Sequence, residues 1–353
     1  MSEGKERTAI GLRDRCDLRQ TPATQKAYFD GELNAWVLTR YDDVAAAFRS
    51  AELSPVNAKS TTEGKATEGK ATDDALRLKA RAETVAALSG AALQMWSDEI
   101  TGIAHELLRD MGANSRADLV GQFTRPLCRR IALLITRPST SGEDLLFQLA
   151  AEVSRAAEEP YDSTLSAQAK AAGAELKKHF SAGPDSLRES GFVALSQTLA
   201  RLLARCWLAM LQNPAEWSRL REEPQLMGSA VEELLRYAGL TEILFRMAAT
   251  DLDLNGIPIR KGERVMLRVS AANRDPDKFE GATSLHIAAK RGGQLTLGLG
   301  KHACVGAPLI RMILSTTTQL LVDRFPSAQI AGDIKWGGGS GFCFPEAIPV
   351  QLY

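Results

Sequence analysis

Long apolar runs are missing from this sequence. Nothing in its 353 residues reaches the roughly 20 consecutive apolar residues that a membrane-spanning helix needs. The first residues, M-S-E-G-K-E-R-T, carry no apolar stretch of the kind that targets a chain for export. A cytoplasmic protein without membrane attachment is expected. Net charge is missing as well, since 43 Lys and Arg balance 43 Asp and Glu. No global field gathers nucleic acid or lipid, so neither is an expected partner, and any electrostatic partner must use a local patch. Cysteine is scarce and scattered: Cys16, Cys128, Cys206, Cys304 and Cys343. The number is odd and no C-x-x-C or Cys/His zinc spacing appears. Mostly free thiols in a reducing compartment are expected.

What is present is an ordinary globular mixture, 44% hydrophobic and 24% charged. The length suits one large domain, 1–353, with an irregular segment over 1–30. Against this background one stretch stands out. Residues 297–306 read L-G-L-G-K-H-A-C-V-G, with three glycines, a histidine and a cysteine inside ten residues. Gly298, Gly300 and Gly306 permit a positive φ, which residues with a Cβ mostly avoid. Such a loop wraps closely around a flat ligand and aims Cys304 at its centre. The run after Gly306 has helical periodicity, which puts Cys304 before a helix N-terminus, where the dipole favours a thiolate. Thiolate is one of the proximal ligands that hold haem iron.

The loop resembles the haem-binding loop of cytochromes P-450, F-G-x-G-x-H-x-C-x-G, with Leu297 where that family usually has Phe. The resemblance implies a mainly α fold with a minor β-region and a haem b cofactor, Cys304 being the metal ligand. It implies cofactor contacts from Leu297, Gly298 and Ala194, and from His302 to a propionate.

The rest of the chain extends the resemblance. W-V-L-T-R-Y at 36–41 alternates as a short strand, and Asp42 or Asp43 then caps a helix. T-E-G-K-A is repeated at 62–66 and 67–71, in a small, charged, glycine-bearing segment read as a loop. Helical periodicity covers 74–88 and 93–111. In the first of these, Arg77 and Arg81 share a helix face at i,i+4 spacing. They stand where the family holds a haem propionate, or else they form a solvated basic face. About two helices fit between Glu143 and His179, so the lid that relatives carry here is expected to be trimmed.

The long apolar run 191–212 ends before Asn213-Pro214. It matches the helix that crosses the distal haem face. Ala194, Leu195, Ser196, Gln197 and Thr198 stand on the family's [A/G]-G-x-[D/E]-T, so the threonine is kept and the acid is an amide. Thr198 and Gln197 are the implied catalytic pair. Glu233 and Arg236 supply E-x-x-R, and with Arg274 they are expected to form a buried charged network. Arg246 stands where relatives hold the other propionate. Counting back from it puts Thr241, Glu242 and Ile243 at the substrate. A charge at Glu242 then suits a substrate amine, unless the strand is shifted by one residue and the side chain faces solvent. Asn255-Gly256 marks a hairpin turn, and residues 333–353 suit a closing β-hairpin.

The implied function is an oxidoreductase that oxidises a small organic or natural-product substrate, large or carrier-bound substrates included. It would be a monooxygenase using dioxygen and electrons from a ferredoxin system. Lys301 and Arg311 are the candidates for docking that acidic donor. Two other readings stay open, since fold does not fix reaction. One is haem-thiolate chemistry that uses peroxide or an activated nitrogen substrate. The other is a P-450-like binding protein with little catalysis.

Overall fold

The computed structural model describes residues 25–55, 81–86, 88, 90–139, 142–159, 162–180 and 188–353. The repeat at 62–71, Arg77 and Cys16 lie outside them. Helices dominate, and the strands gather into four small sheets.

The segment expected to be irregular ends in a strand. β1 (Tyr28–Asp30) runs antiparallel to β2 (Ala35–Leu38), with Phe29 edge-on to Trp36 at 5.7 Å. Helix α1 (Tyr41–Arg49) follows, and Asp42 and Asp43 sit in its first turn, not at its cap. The N–H of Tyr41 goes instead to Asp275, at 2.7 Å. This end of the helix is satisfied by a remote carboxylate, which no local spacing reveals. β3 (Leu53–Pro55) comes next, then helix α2 over 81–86 and α3 (Gly90–Met111).

After β4 (Arg116–Asp118), a π-turn at Val120–Thr124 runs straight into α4 (Arg125–Thr136). Two helices then fill the interval where two are expected, α5 (Glu143–Glu158) and α6 (Ser163–Lys177). Asp162 caps α6 through the N–H groups of Thr164 and Leu165.

The long apolar helix, α7, is not a uniform α-helix. It runs as Glu189–Val193, a π-turn at Ala194–Thr198, then Leu199–Leu211. The N–H of Leu199 reaches back to the carbonyl of Ala194, one residue further than an α-helical bond. Its second half is buried on nearly every side, with Trp207 stacked on Phe123 at 5.2 Å and bonded to Thr318 at 3.0 Å. α8 (Pro214–Glu222) and α9 (Met227–Tyr237) follow.

Strands β5 (Leu244–Ala248), β6 (Leu252–Leu254), β7 (Ile257–Ile259) and β8 (Arg264–Leu267) form where strands are expected, β8 with Val265, Met266 and Leu267 all buried. Asn255 and Gly256 turn the β6–β7 hairpin with φ of 54° and 84°. The largest sheet has the order β1-β2-β8-β5-β3. A short helix, α10 (Val269–Ala272), leads by a long connection to the cysteine loop and α11 (Ala307–Arg324). The chain closes with β9 (Gln329–Ile330), the hairpin of β10 (Lys335–Gly338) and β11 (Cys343–Ala347), and β12 (Pro349–Gln351).

Two apolar clusters hold these parts together. The larger one unites the helices around α7 and packs Cys304, Ala307 and Ile310 against its rim. The smaller one fills the space between α1 and the five-stranded sheet, with Phe48 and Val265 inside it. The cysteine loop runs along the joint between them: Leu297 belongs to the first and Leu299 borders the second. Among the described residues no helix is long and apolar enough to cross a membrane.

The thiols depart from expectation at one point. Cys128, Cys206 and Cys304 are free, but Cys343 is disulfide-bonded.

Candidate functional site

The cysteine loop is built by short-range turns that glycine makes possible. Gly298 and Gly300 have φ of 68° and 66°, as the spacing predicts, whereas Gly306 has an ordinary φ of −80° and closes the loop as the N-cap of α11. The N–H of Cys304 donates to the Leu297 carbonyl at 2.7 Å, which pins the cysteine across the loop. Leu297 itself is only 8% exposed, so it does pack where an aromatic residue was the alternative.

Cys304 is partly buried, and burial pushes its thiol above the ordinary value. The Gly306 N–H, then Arg81 and Arg311, pull the other way. These groups surround the sulfur with partial and full positive charge, which suits a thiolate once a metal cation replaces the proton. Arg81 reaches the loop directly: its Nη2 donates to the Ala303 carbonyl at 2.7 Å. His302 is exposed at the edge of the loop.

Arg246 supplies a test of whether haem fits here. It is 7% exposed, yet its Nε has no hydrogen bond, and among the described residues its side chain donates only to the neighbouring Phe245 carbonyl, at 3.0 Å. No acid among the described residues pairs with it, and burial lowers its pKa. A buried guanidinium without an anion is costly. Its place is fixed by Phe48, whose ring lies 5.6 Å beneath it. The same Phe48 ring would lie 3.6 Å from a Cβ added at Gly298, and the Phe48 carbonyl 3.3 Å from one at Gly300. An unpaired cation therefore sits beside the cysteine loop, where a haem carboxylate needs one. The residues present fit the group.

On α7, Ala194 is exposed and Thr198 half-buried, whereas Leu195 and Ser196 are buried. The π-turn covers the whole distal motif, Ala194 to Thr198, and π-turns recur at functional sites. Gln197 does not share the Ala194 face. It lines a cavity on another side of the helix with Ser196, Ala200 and Arg201.

Glu242 requires a correction. Its carboxylate is not left for a substrate amine, because Arg205 of α7 pairs with it at 3.2 Å. Thr241 pairs with Phe342 of the C-terminal hairpin in a β-bridge, and Ile243 is half-buried beside them. Arg205 was not singled out by sequence reasoning. It is buried, and it also donates to the carbonyls of Ala238 and Cys343, so it ties α7, α9, the Glu242 segment and the C-terminal hairpin together. An arginine inside an otherwise apolar run was the available signal.

The charged network is corrected too. Glu233 and Arg236 pair through two bonds of 2.8 Å, fully buried, as expected. The second cation on Glu233 is Arg291, at 3.0 Å, and not Arg274. Arg236 also holds the carbonyls of Asn273, Ala282 and Ser284, so the network staples the connection that leads to the cysteine loop. Arg274 instead donates to the Tyr237 carbonyl at 2.8 Å, and burial brings its pKa down to about 10. Of the two docking candidates, Lys301 is exposed, while Arg311 is engaged by Glu232 at 2.5 Å. Among the described residues no cluster of His, Cys, Asp and Glu could hold a metal ion by itself.

The fold and the loop together define a protein built to hold haem through a cysteine. The family model described as cytochrome P450 matches residues 212–332. The biotin biosynthesis cytochrome P450 of Bacillus subtilis (strain 168) is 37% identical over 45% of this chain and 41% of its own length. The mycinamicin IV hydroxylase/epoxidase of Micromonospora griseorubida is 27% identical over 90% of this chain and 89% of its own. Among solved structures, P450BioI in complex with hexadec-9Z-enoic acid ligated acyl carrier protein superposes with a TM-score of 0.79. The identity is 21%, over 97% of this chain and 98% of that one, so the fold is shared. The chain shares the fold of the cytochromes P450 and matches that family's model over residues 212–332; that fold uses haem with a cysteine thiolate as axial ligand.

Proposed function

We propose that this protein is a P-450 monooxygenase that inserts oxygen into a small organic or natural-product substrate, with electrons from a ferredoxin-type donor. The observation that carries the reading is Arg246, a buried guanidinium without an anion beside the Cys304 loop. Haem bound there supplies oxygen activation, favoured by the electron-rich thiolate.

The chain's own residues divide the remaining work. Cys304 ligates the metal. Arg246 neutralises one propionate, and Arg81, Arg77 and His302 serve the other. Gly298, Leu297 and Ala194 bound the ring. The Thr198 hydroxyl both donates and accepts, so it would hold a water and keep a proton within reach of a bound haem. Gln197 hydrogen-bonds but does not ionise near neutral pH, and a positioned acid–base group is worth about 10²–10⁴ in rate. Proton delivery therefore rests on Thr198 and ordered water. Thr241 and Ile243 line the substrate space, and Glu242 shapes it through Arg205. Two similar proteins suggest the substrate's form: one is a mycinamicin IV hydroxylase/epoxidase, and another was solved with a fatty-acid-loaded acyl carrier protein. A natural product, free or carrier-bound, is the class proposed here.

Turnover in a generic ferredoxin and reductase system tests the reading. Thr198→Ala should raise peroxide leakage, and Gln197→Glu should speed product formation. Native turnover that needs no reductant and is indifferent to Thr198→Ala would replace this reading with peroxide-dependent or activated-nitrogen chemistry.

A further inference from the structure

A half-open cavity of about 270 Å³ lies on the side of α7 that carries Gln197 and Arg201, bordered by α4, α5 and β11. Three guanidinium groups converge on it: Arg125 and Arg129, one turn apart on α4, and Arg201. Arg201 is neutralised by Glu158 at 2.5 Å. The Arg125 and Arg129 side chains are exposed and have no acid partner and no hydrogen bond among the described residues. Glu346 is the one acid in the lining, so the cavity keeps an excess of positive charge.

The arginines are also held in fixed planes. Arg129 lies over the Phe147 ring at 4.4 Å, and Arg201 over the Phe344 ring at 4.2 Å. The Arg201 edge is taken by Ser154 and Glu158, but Arg129 keeps its edge N–H groups free, and that edge matches the two oxygens of a carboxylate. The remaining wall is mixed: Val120, Ala151, Ala200 and Pro345 give it an apolar part, and Ser196 and Gln197 a polar one. Both described π-turns open here, Val120–Thr124 through Val120 and Ala194–Thr198 through Ser196 and Gln197. π-turns are rare and concentrate at functional sites.

We propose that this cavity is a second binding site, for a small organic carboxylate, separate from the Ala194 and Thr198 face of the same helix. The charge selects an anion, and the apolar part of the wall selects an organic body over an inorganic ion. Gln197 offers its amide to the same ligand. Because Gln197 and Thr198 belong to one π-turn, occupancy of the cavity bears on the distal motif from behind. The proposal does not depend on the haem reading, since none of its cavity residues is assigned to the cysteine loop or the propionates.

The test is equilibrium dialysis of the purified full-length protein against labelled benzoate, with inorganic phosphate as comparator. Saturable binding of one benzoate per chain is expected, with phosphate at least tenfold weaker. Arg125→Gln/Arg129→Gln should weaken benzoate at least tenfold. Both side chains are exposed, so the fold should survive, and circular dichroism checks that it has. Ala151→Phe, which fills the cavity without touching its charge, should act in the same direction. Arg246→Leu should leave benzoate affinity unchanged. No saturable binding, equal binding of phosphate, or binding lost in Arg246→Leu but kept in the Arg125/Arg129 variant would each overturn the proposal.

Discussion

Arg205 of the long helix and Glu242, just ahead of β5, pair at 3.2 Å, and the same guanidinium holds the carbonyls of Ala238 and Cys343. The Arg205 side chain is 4% exposed and that of Glu242 21%. The pair closes the seam between α7 and the segment ahead of β5, and its loss is asymmetric. Arg205→Met strands one carboxylate and two carbonyls, at a cost of about 3–5 kcal/mol. Glu242→Gln keeps a neutral acceptor and should cost about 1–2 kcal/mol. Urea unfolding of both variants reads the difference, and equal losses would show that Arg205 acts by packing alone.

The cysteines separate cleanly. Cys304→Ala should abolish the red-shifted ferrous–carbonyl band of a thiolate-bound haem, while Cys128→Ala keeps it. Cys128 is wholly buried in the main core and Cys304 is not. A thiolate spectrum retained by Cys304→Ala would remove the ligand assignment.

Alkaline stability should report the buried thiols. Burial pushes Cys206 up to about 12 and raises Cys128 as well. Their unfolded values lie near 8.5. The native state therefore keeps protons that the unfolded chain releases. The associated stability is complete below about pH 8.5 and declines as pH rises towards the folded values, by up to about 1.4 kcal/mol per pH unit for each thiol. Urea midpoints between pH 8 and 10 should fall more steeply for the natural chain than for Cys128→Ala/Cys206→Ala. The variant lowers the whole curve through lost packing, so the slope is the quantity to compare.

Gly298 and Gly306 should respond differently to the same change. Gly298→Ala places a Cβ at φ 68°, a left-handed conformation costing about 1–2 kcal/mol, in the turn that aims Cys304. Gly306→Ala has an ordinary φ, and its Cβ would meet the Cys304 sulfur at 3.8 Å, an ordinary contact. Faster haem loss is expected from Gly298→Ala than from Gly306→Ala, measured by transfer to apomyoglobin. The reverse order would mean that the sulfur contact matters more than the turn.

A double-mutant cycle should locate the second cation of the network. Glu233→Gln with Arg291→Gln should show coupling of at least about 1 kcal/mol, because the two share a 3.0 Å bond. Glu233→Gln with Arg274→Gln should be close to additive.

What could be read from the chain was what is local. The Cys304 loop declares itself within ten residues, because glycine conformations and a helix start are short-range facts. The Asn255-Gly256 turn and the E-x-x-R pair are legible for the same reason. Arg291, Arg205 and Asp275 were not, since each acts on a partner brought close only by the fold: Glu233 is 58 residues from Arg291, and Asp275 is 234 residues from the Tyr41 N–H it caps. Arg274 and Arg291 both precede the loop, and spacing alone does not distinguish which one meets Glu233. Gly306 looked like its neighbours in composition and differs only in backbone. The π-turn in α7 left no trace either, because apolar periodicity hardly changes over five residues.

That π-turn makes the long helix sensitive to length where it is tolerant of composition. One surplus residue is housed between Val193 and Leu199, so the stretch bearing Phe192 and the stretch bearing Trp207 are out of phase with a continuous spiral. Deleting any single residue from 194–198 would restore the spiral and swing one stretch by about 100° against the other. Phe192 would leave its stack on Phe147, or Trp207 its bond to Thr318. The five positions thus work as a spacer whose size is fixed even where its letters drift, and Leu195 and Gln197 are letters that have drifted from the family pattern.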